Sequence, residues 1–157
     1  MDKKVIPCKW RVFKSSAVFT MGLQRPTEVE YEKTIEEKPG AVFLEFAPSK
    51  KTGKNEYNWD EKRLFKLDAT DLAKIITEQE FNLIHNPLLN KPEDDGSKVQ
   101  HLSFSILQNK QERSNTYGFL SISFAGGGKI SIAMTYAEYT TFVKLCDSSL
   151  PIILGFE

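Results

Sequence analysis

Between Tyr57 and Ile76 the chain changes its hydrophobic period within a few residues, and that change limits what the surrounding sequence can fold into. Phe65 and Leu67 alternate with Lys66 as in a half-buried strand, whereas Leu72, Ile75 and Ile76 recur at the spacing of one helix face. Asp68 stands between them as an N-cap, and Asp71 adds an acid to the first turn, where the helix dipole favours it. A strand must lead straight into a helix here. The preceding run, Asp60-Glu61-Lys62-Arg63, is four consecutive charges and excludes a plain buried strand. Tyr57, Trp59 and Phe65 make the stretch too aromatic for an idle loop. Rings interleaved with Lys62, Arg63 and Lys66 supply flat faces for bases and cations for phosphates, the requirements of a single-stranded nucleic-acid surface. On local composition alone, a strand-to-helix junction with ordinary core aromatics is the commoner reading. Phe65, alternating with Lys66, fits that core.

The chain before this stretch reads as strands. Residues 10–23 form one long strand whose apolar positions, Trp10 and Val12 and then Ala17, Phe19 and Met21, change phase at Lys14-Ser15-Ser16. Such a break suggests a bulge or a passage between environments. Residues 28–35 alternate acids with Val29 and Tyr31 as a solvent-facing strand, and Lys38-Pro39-Gly40 is a turn. Residues 41–47 are a buried strand ended by Pro48, and a loop over 49–55 returns the chain to the opening stretch, the fourth strand. After the first helix, expected over 68–78, residues 81–89 are a less regular apolar segment stopped by Pro87. Strands are expected at 99–108, where Leu102, Phe104 and Ile106 alternate with serines, and at 117–124 and 129–134, joined by Gly126-Gly127-Gly128. Thr135-Tyr136-Ala137-Glu138 is a capping box. It opens a helix over 136–150 with Tyr139, Phe142, Val143 and Cys146 on one face, which Pro151 kinks or ends. Strands followed by a helix thus occur twice, with four strands before the first helix and three clear ones before the second.

A chain of 157 residues suits one domain whose core needs no disulfide or metal, with residues 1–9 as a flexible start. The formal net charge is zero, which argues against a strongly basic nucleic-acid-binding domain. The charges are segregated, however. Residues 1–25 carry Lys3, Lys4, Lys9, Arg11, Lys14 and Arg25 against Asp2 alone. Residues 49–66 carry Lys50, Lys51, Lys54, Lys62, Arg63 and Lys66 against Glu56, Asp60 and Glu61. If these segments neighbour one another in a sheet, a positive stripe forms on a neutral protein; a patchwork of solvated charge is the equal alternative.

No catalytic constellation emerges. Gly126-Gly127-Gly128-Lys129 has Ser123 where a phosphate loop needs its first glycine, and Ile130 where it needs Ser or Thr. It reads as a hairpin turn, with Lys129 still able to touch a phosphate. His85 and His101 have no metal-ligand spacing with each other or with the cysteines, and His85 reads as structural. Cys8 lies beside Lys9 and Arg11, which lower a thiol pKa, but lacks a base to work with. Cys146 reads as core. No enzyme, metal or cofactor is expected. Two cysteines suit a reducing compartment. Neither a secretory signal, nor a transit peptide, nor a membrane-length apolar run is visible. An intracellular protein of the cytoplasm or nucleoid is expected, or an organellar one in processed form.

Five motifs in order resemble the Whirly family of single-stranded DNA-binding proteins. Lys14-Ser15-Ser16-Ala17-Val18-Phe19 stands where the family has Lys-Gly-Lys-Ala-Ala-Leu, and Phe46-Ala47-Pro48 matches its Phe-x-Pro. Tyr57-Asn58-Trp59, then Lys62-Arg63, then Phe65-Lys66-Leu67 and the helix start match its aromatic stretch. Ile84-His85-Asn86-Pro87 is similar to Phe-His-Asp-Pro, and Pro151 to Phe156 is similar to Pro-x-x-x-Gly-Trp. The resemblance covers residues 10–157.

It implies an α+β fold of two antiparallel sheets of about four strands, each followed by a helical element, with the helices forming the core of a homotetramer. It also implies single-stranded DNA binding with little sequence preference, in DNA repair, recombination or transcription. On that reading the contacts are Trp10, Phe13 and Lys14 on the first strand, Tyr57, Trp59, Lys62 and Arg63 on the fourth, and Lys129. Tyr139, Phe142 and Cys146 then lie at or near the subunit contact. Ser15 and Ser16 replace the family's glycine and second lysine, so the assembly of tetramers into larger particles associated with that lysine does not carry over. Two alternatives stand beside this reading. One is RNA binding or annealing, as in the similar mitochondrial RNA-binding proteins of kinetoplastids. The other is a β-rich oligomeric scaffold that has lost nucleic-acid binding, which zero net charge and Ser16 favour.

Overall fold

The structure, a computed structural model, describes residues 9–52, 54, 56–108 and 115–156. Alternating hydrophobicity produces two four-stranded antiparallel sheets. Sheet 1 runs β1 (Trp10–Phe13), β2 (Ala17–Gln24), β5 (Ala41–Pro48), β6 (Arg63–Leu67) across its width. Sheet 2 runs β10 (Gly128–Thr135), β9 (Thr116–Phe124), β8 (Gln100–Ile106), β7 (Phe81–His85). Helix α1 (Ala69–Thr77) follows sheet 1 in the chain, α2 (Tyr136–Ile153) follows sheet 2, and the two helices contact each other. A separate ribbon, β3 (Thr27–Tyr31) with β4 (Thr34–Lys38), stands outside both sheets.

Four expectations need correction. The long strand over 10–23 is a hairpin, β1 pairing with β2, because Lys14-Ser15-Ser16 turns the chain and Lys14 N–H donates to the Ala17 carbonyl at 2.9 Å. The solvent-facing strand at 28–35 is the ribbon β3–β4, almost wholly exposed. The charged run delays the fourth strand: Trp59–Glu61 is a single 3-10 turn, and pairing to β5 starts at Arg63. The irregular segment at 81–89 contains β7, paired with β8, which completes four strands in each sheet. The start expected to be flexible, and Cys8 with it, lies outside the described residues, Lys9 excepted.

Both helices open on a capping box, which at Asp68 goes beyond the N-cap expected there. Asp68 accepts from Asp71 N–H and Asp71 from Asp68 N–H; Thr135 and Glu138 do the same for α2. Burial raises the Asp71 carboxyl above its ordinary range, against the lowering effect of the Asp68 N–H and the facing His85. His85 Nε2 lies 2.8 Å from Asp71 and its ring stacks on Phe65 at 4.2 Å, so His85 is structural as expected. Pro151 sits inside α2, which ends two residues later. Gly155, with φ +83°, adopts the left-handed conformation that closes this end. Its N–H donates to the Ile152 carbonyl and the Phe156 N–H to the Pro151 carbonyl, a Schellman arrangement.

The inner faces of both sheets meet α2 in one core. Tyr139 stacks on Phe104 of sheet 2 at 3.7 Å, and Phe142 lies edge-on to Phe19 of sheet 1 at 6.0 Å. Phe19 also touches Phe46 and Trp10, at 5.2 and 5.8 Å. Tyr139, Phe142 and Cys146 are therefore covered by the chain's own sheets and not left open for a subunit contact. Burial pushes the Cys146 thiol, and the Tyr139 phenol likewise, up to about 12.

Phe19→Ala should open a cavity at this junction and lower stability by about 3–5 kcal/mol in urea unfolding. Tyr31→Ala, on the exposed ribbon, should stay within about 0.5 kcal/mol of the parent.

Candidate nucleic-acid interface

Where β5 ends and β6 begins, sheet 1 meets the β9–β10 turn of sheet 2 around an open groove of about 590 Å³. Pro48, Asp60, Glu61, Lys62 and Arg63 line one side, and Phe124 and Lys129 the other. Arg63 opens β6 opposite Phe46, and its guanidinium lies 3.7 Å over the centroid of the Phe124 ring. Such a contact is worth about 0.5–1 kcal/mol at an exposed site. It holds the guanidinium while its N–H edge remains suited to a phosphate. Gly128 pairs with Phe124 across the turn, and a Cβ there would run into the ring. Gly126 and Gly127, at φ +96° and +88°, make the tight turn that brings Lys129 back to the groove.

The outer face of sheet 1 continues from this end. Phe13 is 59% exposed and leans on Tyr57 at 5.8 Å. Tyr57 is buried with Val18 and Ala47, and its hydroxyl donates to the Lys14 carbonyl at 2.8 Å. Trp59, on the 3-10 turn, is 42% exposed. Lys14 Nζ donates to Glu138 at 2.7 Å and ties the β1–β2 turn to the first turn of α2. Burial opposes ionisation of Glu138. The hydrogen bond from Lys14, the Thr135 N–H and the Lys14 charge together outweigh burial, so the carboxyl titrates below its ordinary range.

Of the residues expected to bind, Lys62, Arg63 and Lys129 share the groove, and Phe13, Lys14, Tyr57 and Trp59 lie around the same end of sheet 1. Tyr57 is a buried support for Phe13 more than a free stacking face. Trp10 does not join them. Strand parity turns it to the inner side of β1, against Phe19, where it borders a cavity of about 470 Å³ beside α2. Phe124 escaped the sequence reading; the glycines that follow it were its only signal. The two basic segments do share sheet 1, but at its opposite edges, β1 and β6, with β2 and β5 between. On the outer face of sheet 2, Ser103, Ser121 and Ser131 lie in one cross-strand row beside a half-buried Phe119. Among the described residues, no group of three or more His, Cys, Asp or Glu side chains could hold a metal ion. No described helix is long and apolar enough to cross a membrane.

The model of the Whirly family, described as the Whirly transcription factor, matches residues 12–145. Two chloroplastic single-stranded DNA-binding proteins of Arabidopsis thaliana, WHY3 and WHY1, are each 23% identical to 93% of this chain. The chain spans 56% of the length of each. A chloroplastic single-stranded DNA-binding protein of Solanum tuberosum, WHY1, is 26% identical over 126 residues, 75% of this chain and 43% of that protein. The fold is similar to that of the plant transcriptional regulator PBF-2, with a TM-score of 0.79 and 23% identity over 98% of this chain and 93% of that one. It is also similar to WHY1 of Arabidopsis thaliana, with a TM-score of 0.78 and 22% identity over 98% of this chain and 88% of that one.

The lowered Glu138 carboxyl fixes the sign of a pH effect. Its interactions stabilise the fold above the ordinary value of 4.5 and are lost as pH falls through the lower native value. Glu138→Gln should therefore melt below the parent at neutral pH. The gap should close in acid, as followed by thermal unfolding across the acid limb.

Proposed function

Because the chain belongs to the Whirly family, we propose that it binds single-stranded DNA with little sequence preference, at the end of sheet 1 bordered by Phe13, Trp59, Arg63 and Phe124. The observation that carries this reading is the groove in which Lys62, Lys129 and an Arg63 already laid on an aromatic ring converge. The exposed rings of Phe13 and Trp59 lie at the same end of the sheet. The names of the relatives support the same ligand. Stacking contributes about 1–3 kcal/mol per base and accepts every base, because every base has a flat face. The cations add a salt-dependent term by releasing counterions from the phosphates. Duplex DNA, with its bases turned inward, offers this surface its charge alone. A protein with these properties protects or organises single strands during repair, recombination or transcription.

The assembly that accompanies this reading is a homotetramer with helices at its centre. The Tyr139–Phe142–Cys146 face is consumed in the core, so the contact falls to the remaining apolar residues of the helical layer. Tyr136, Leu154 and Phe156 are exposed, and Val143, Leu145 and Leu150 are half-buried. Light scattering should return four times the 17.9 kDa of one chain.

Anisotropy with a labelled single strand, titrated against salt and against duplex competitor, tests the binding. Joint replacement of Lys62 and Arg63 by alanine removes two phosphate partners and should make the log–log salt slope shallower by about 1.4. Trp59→Ala should weaken binding by about 1–3 kcal/mol at every salt concentration without changing that slope. Absence of single-strand binding at low salt overturns the reading.

A further inference from the structure

On the outer face of sheet 1, away from the groove, four residues form one cross-strand row: Arg11 pairs with Thr20, Thr20 with Glu45, and Glu45 with Leu64. The neighbouring row contains Gly22 paired with Phe43. Between the two rows lies a concavity of about 220 Å³ lined by Lys9, Thr20, Gly22, Leu23, Phe43, Glu45 and Leu64. Thr20 is only 2% exposed, and its Oγ1 has no hydrogen-bond partner among the described residues, although a carboxylate stands on the adjacent strand. Buried hydroxyls are ordinarily bonded, so one left over at the wall of a concavity points to a group that the described residues do not supply.

We propose that this concavity is a pocket for a single nucleobase, and that Glu45 makes it favour bases carrying an exocyclic amino group. The inference rests on the single-strand binding reading above and assigns a separate subsite to it. The size fits. The volume is several times the share of one water, about 30 Å³, and below the range of about 300–1,000 Å³ that holds drug-sized ligands. The walls fit a flat heterocycle. The half-buried ring of Phe43 and the 45% exposed Leu64 are apolar, and Gly22, on β2 opposite Phe43, adds no side chain of its own. The Lys9 stem lies over Gly22, with methylenes 3.7–3.9 Å from where a Cβ would stand, and adds a further apolar wall.

The polar groups divide recognition between them. The Thr20 hydroxyl both donates and accepts, so it serves any base edge. The Glu45 carboxylate only accepts, so it pairs with the amino group of cytosine, adenine or guanine, whereas the one donor on the uracil edge, N3–H, is flanked by two carbonyl oxygens that repel a carboxylate.

The test compares oligo-dC with oligo-dU of equal length, two pyrimidine strands that differ in this amino group. The full chain is titrated with each at one salt concentration, and the parent should bind oligo-dC at least about fivefold more tightly. Glu45→Gln should bring the two affinities within about twofold of each other. Gly22→Leu, which fills the pocket, should weaken oligo-dC most and leave the salt slope unchanged. Thermal melting checks that both variants are folded, and the surface change at Glu45 keeps the test decisive if Gly22→Leu does not fold. Equal binding of the two strands by the parent, or a preference that survives Glu45→Gln, overturns the pocket while leaving the groove intact. Failure to bind either strand overturns the single-strand reading and the pocket with it.

Discussion

The relative position of the two sheets, and with it the groove between them, depends on one stripe of α2. Tyr139 and Phe142, three residues apart, reach different sheets: the first stacks on Phe104 and the second meets Phe19. One turn of helix is thus the joint between sheet 1 and sheet 2, and ring contacts of this kind add about 0.5–1.5 kcal/mol each beyond the area they bury. The groove inherits its shape from that joint. Arg63 belongs to sheet 1 and Phe124 to sheet 2, so the cation can lie on the ring only if the sheets hold one relative position. Lys14 reaches Glu138 on the same condition. A face used to weld two sheets is not available to a neighbour, which moves any assembly onto the residues that α2 leaves uncovered.

Zero net charge and a groove lined by Lys62, Arg63 and Lys129 are compatible because charge acts locally. The Debye length at physiological salt is about 8 Å. The acidic ribbon β3–β4 joins β5 at its Ala41 end, whereas the groove lies at the Pro48 end. Seven residue steps of strand separate them, about 23 Å. The glutamates of the ribbon therefore balance the formal charge without cancelling the field at Lys62, Arg63 and Lys129. Asp60 and Glu61 line the groove itself and do oppose it. The groove suits an anion that also presents rings, for which charge is only part of the attraction, better than one that offers phosphate alone.

Features governed by neighbouring residues were legible in the sequence. The capping box at Thr135, the strand-to-helix junction with its N-cap at Asp68 and the tight turn at Gly126–Gly128 depend on local chemistry, and the chain adopts them. Parity is legible too, but it does not mark where one strand ends and the next begins. Treating residues 10–23 as one strand hid a hairpin, because serines serve turns as readily as bulges. The same strand places Trp10 inward and leaves Phe13 out, an alternation that separates two aromatics grouped for their chemistry. β7 was blurred by the apolar residues beyond Pro87, which extend the pattern past the paired segment. The stripe Tyr139–Phe142–Cys146 shows that a helix buries one face without showing what covers it. Phe124 entered the site through a contact with Arg63 some sixty residues away in the chain, for which no local pattern exists.

Two concavities on different sheets share one construction. Gly128 stands opposite Phe124 on sheet 2, and Gly22 opposite Phe43 on sheet 1. In each pair a strand residue without a side chain faces a phenylalanine, and the space left free holds the Phe124 ring over Gly128 and the Lys9 stem over Gly22. At Gly128 the demand is strict, since a Cβ would occupy the ring's own position. At Gly22 it is not, since a Cβ would meet the Lys9 stem at ordinary contact distance. Glycine inside a strand destabilises it by about 0.5–1 kcal/mol relative to alanine. The fold needs Gly128 for its own steric reasons. It has no such need of Gly22, so the opening beside Phe43 is a loss of stability that folding does not explain, and a strand glycine of that sort commonly marks where another molecule comes close.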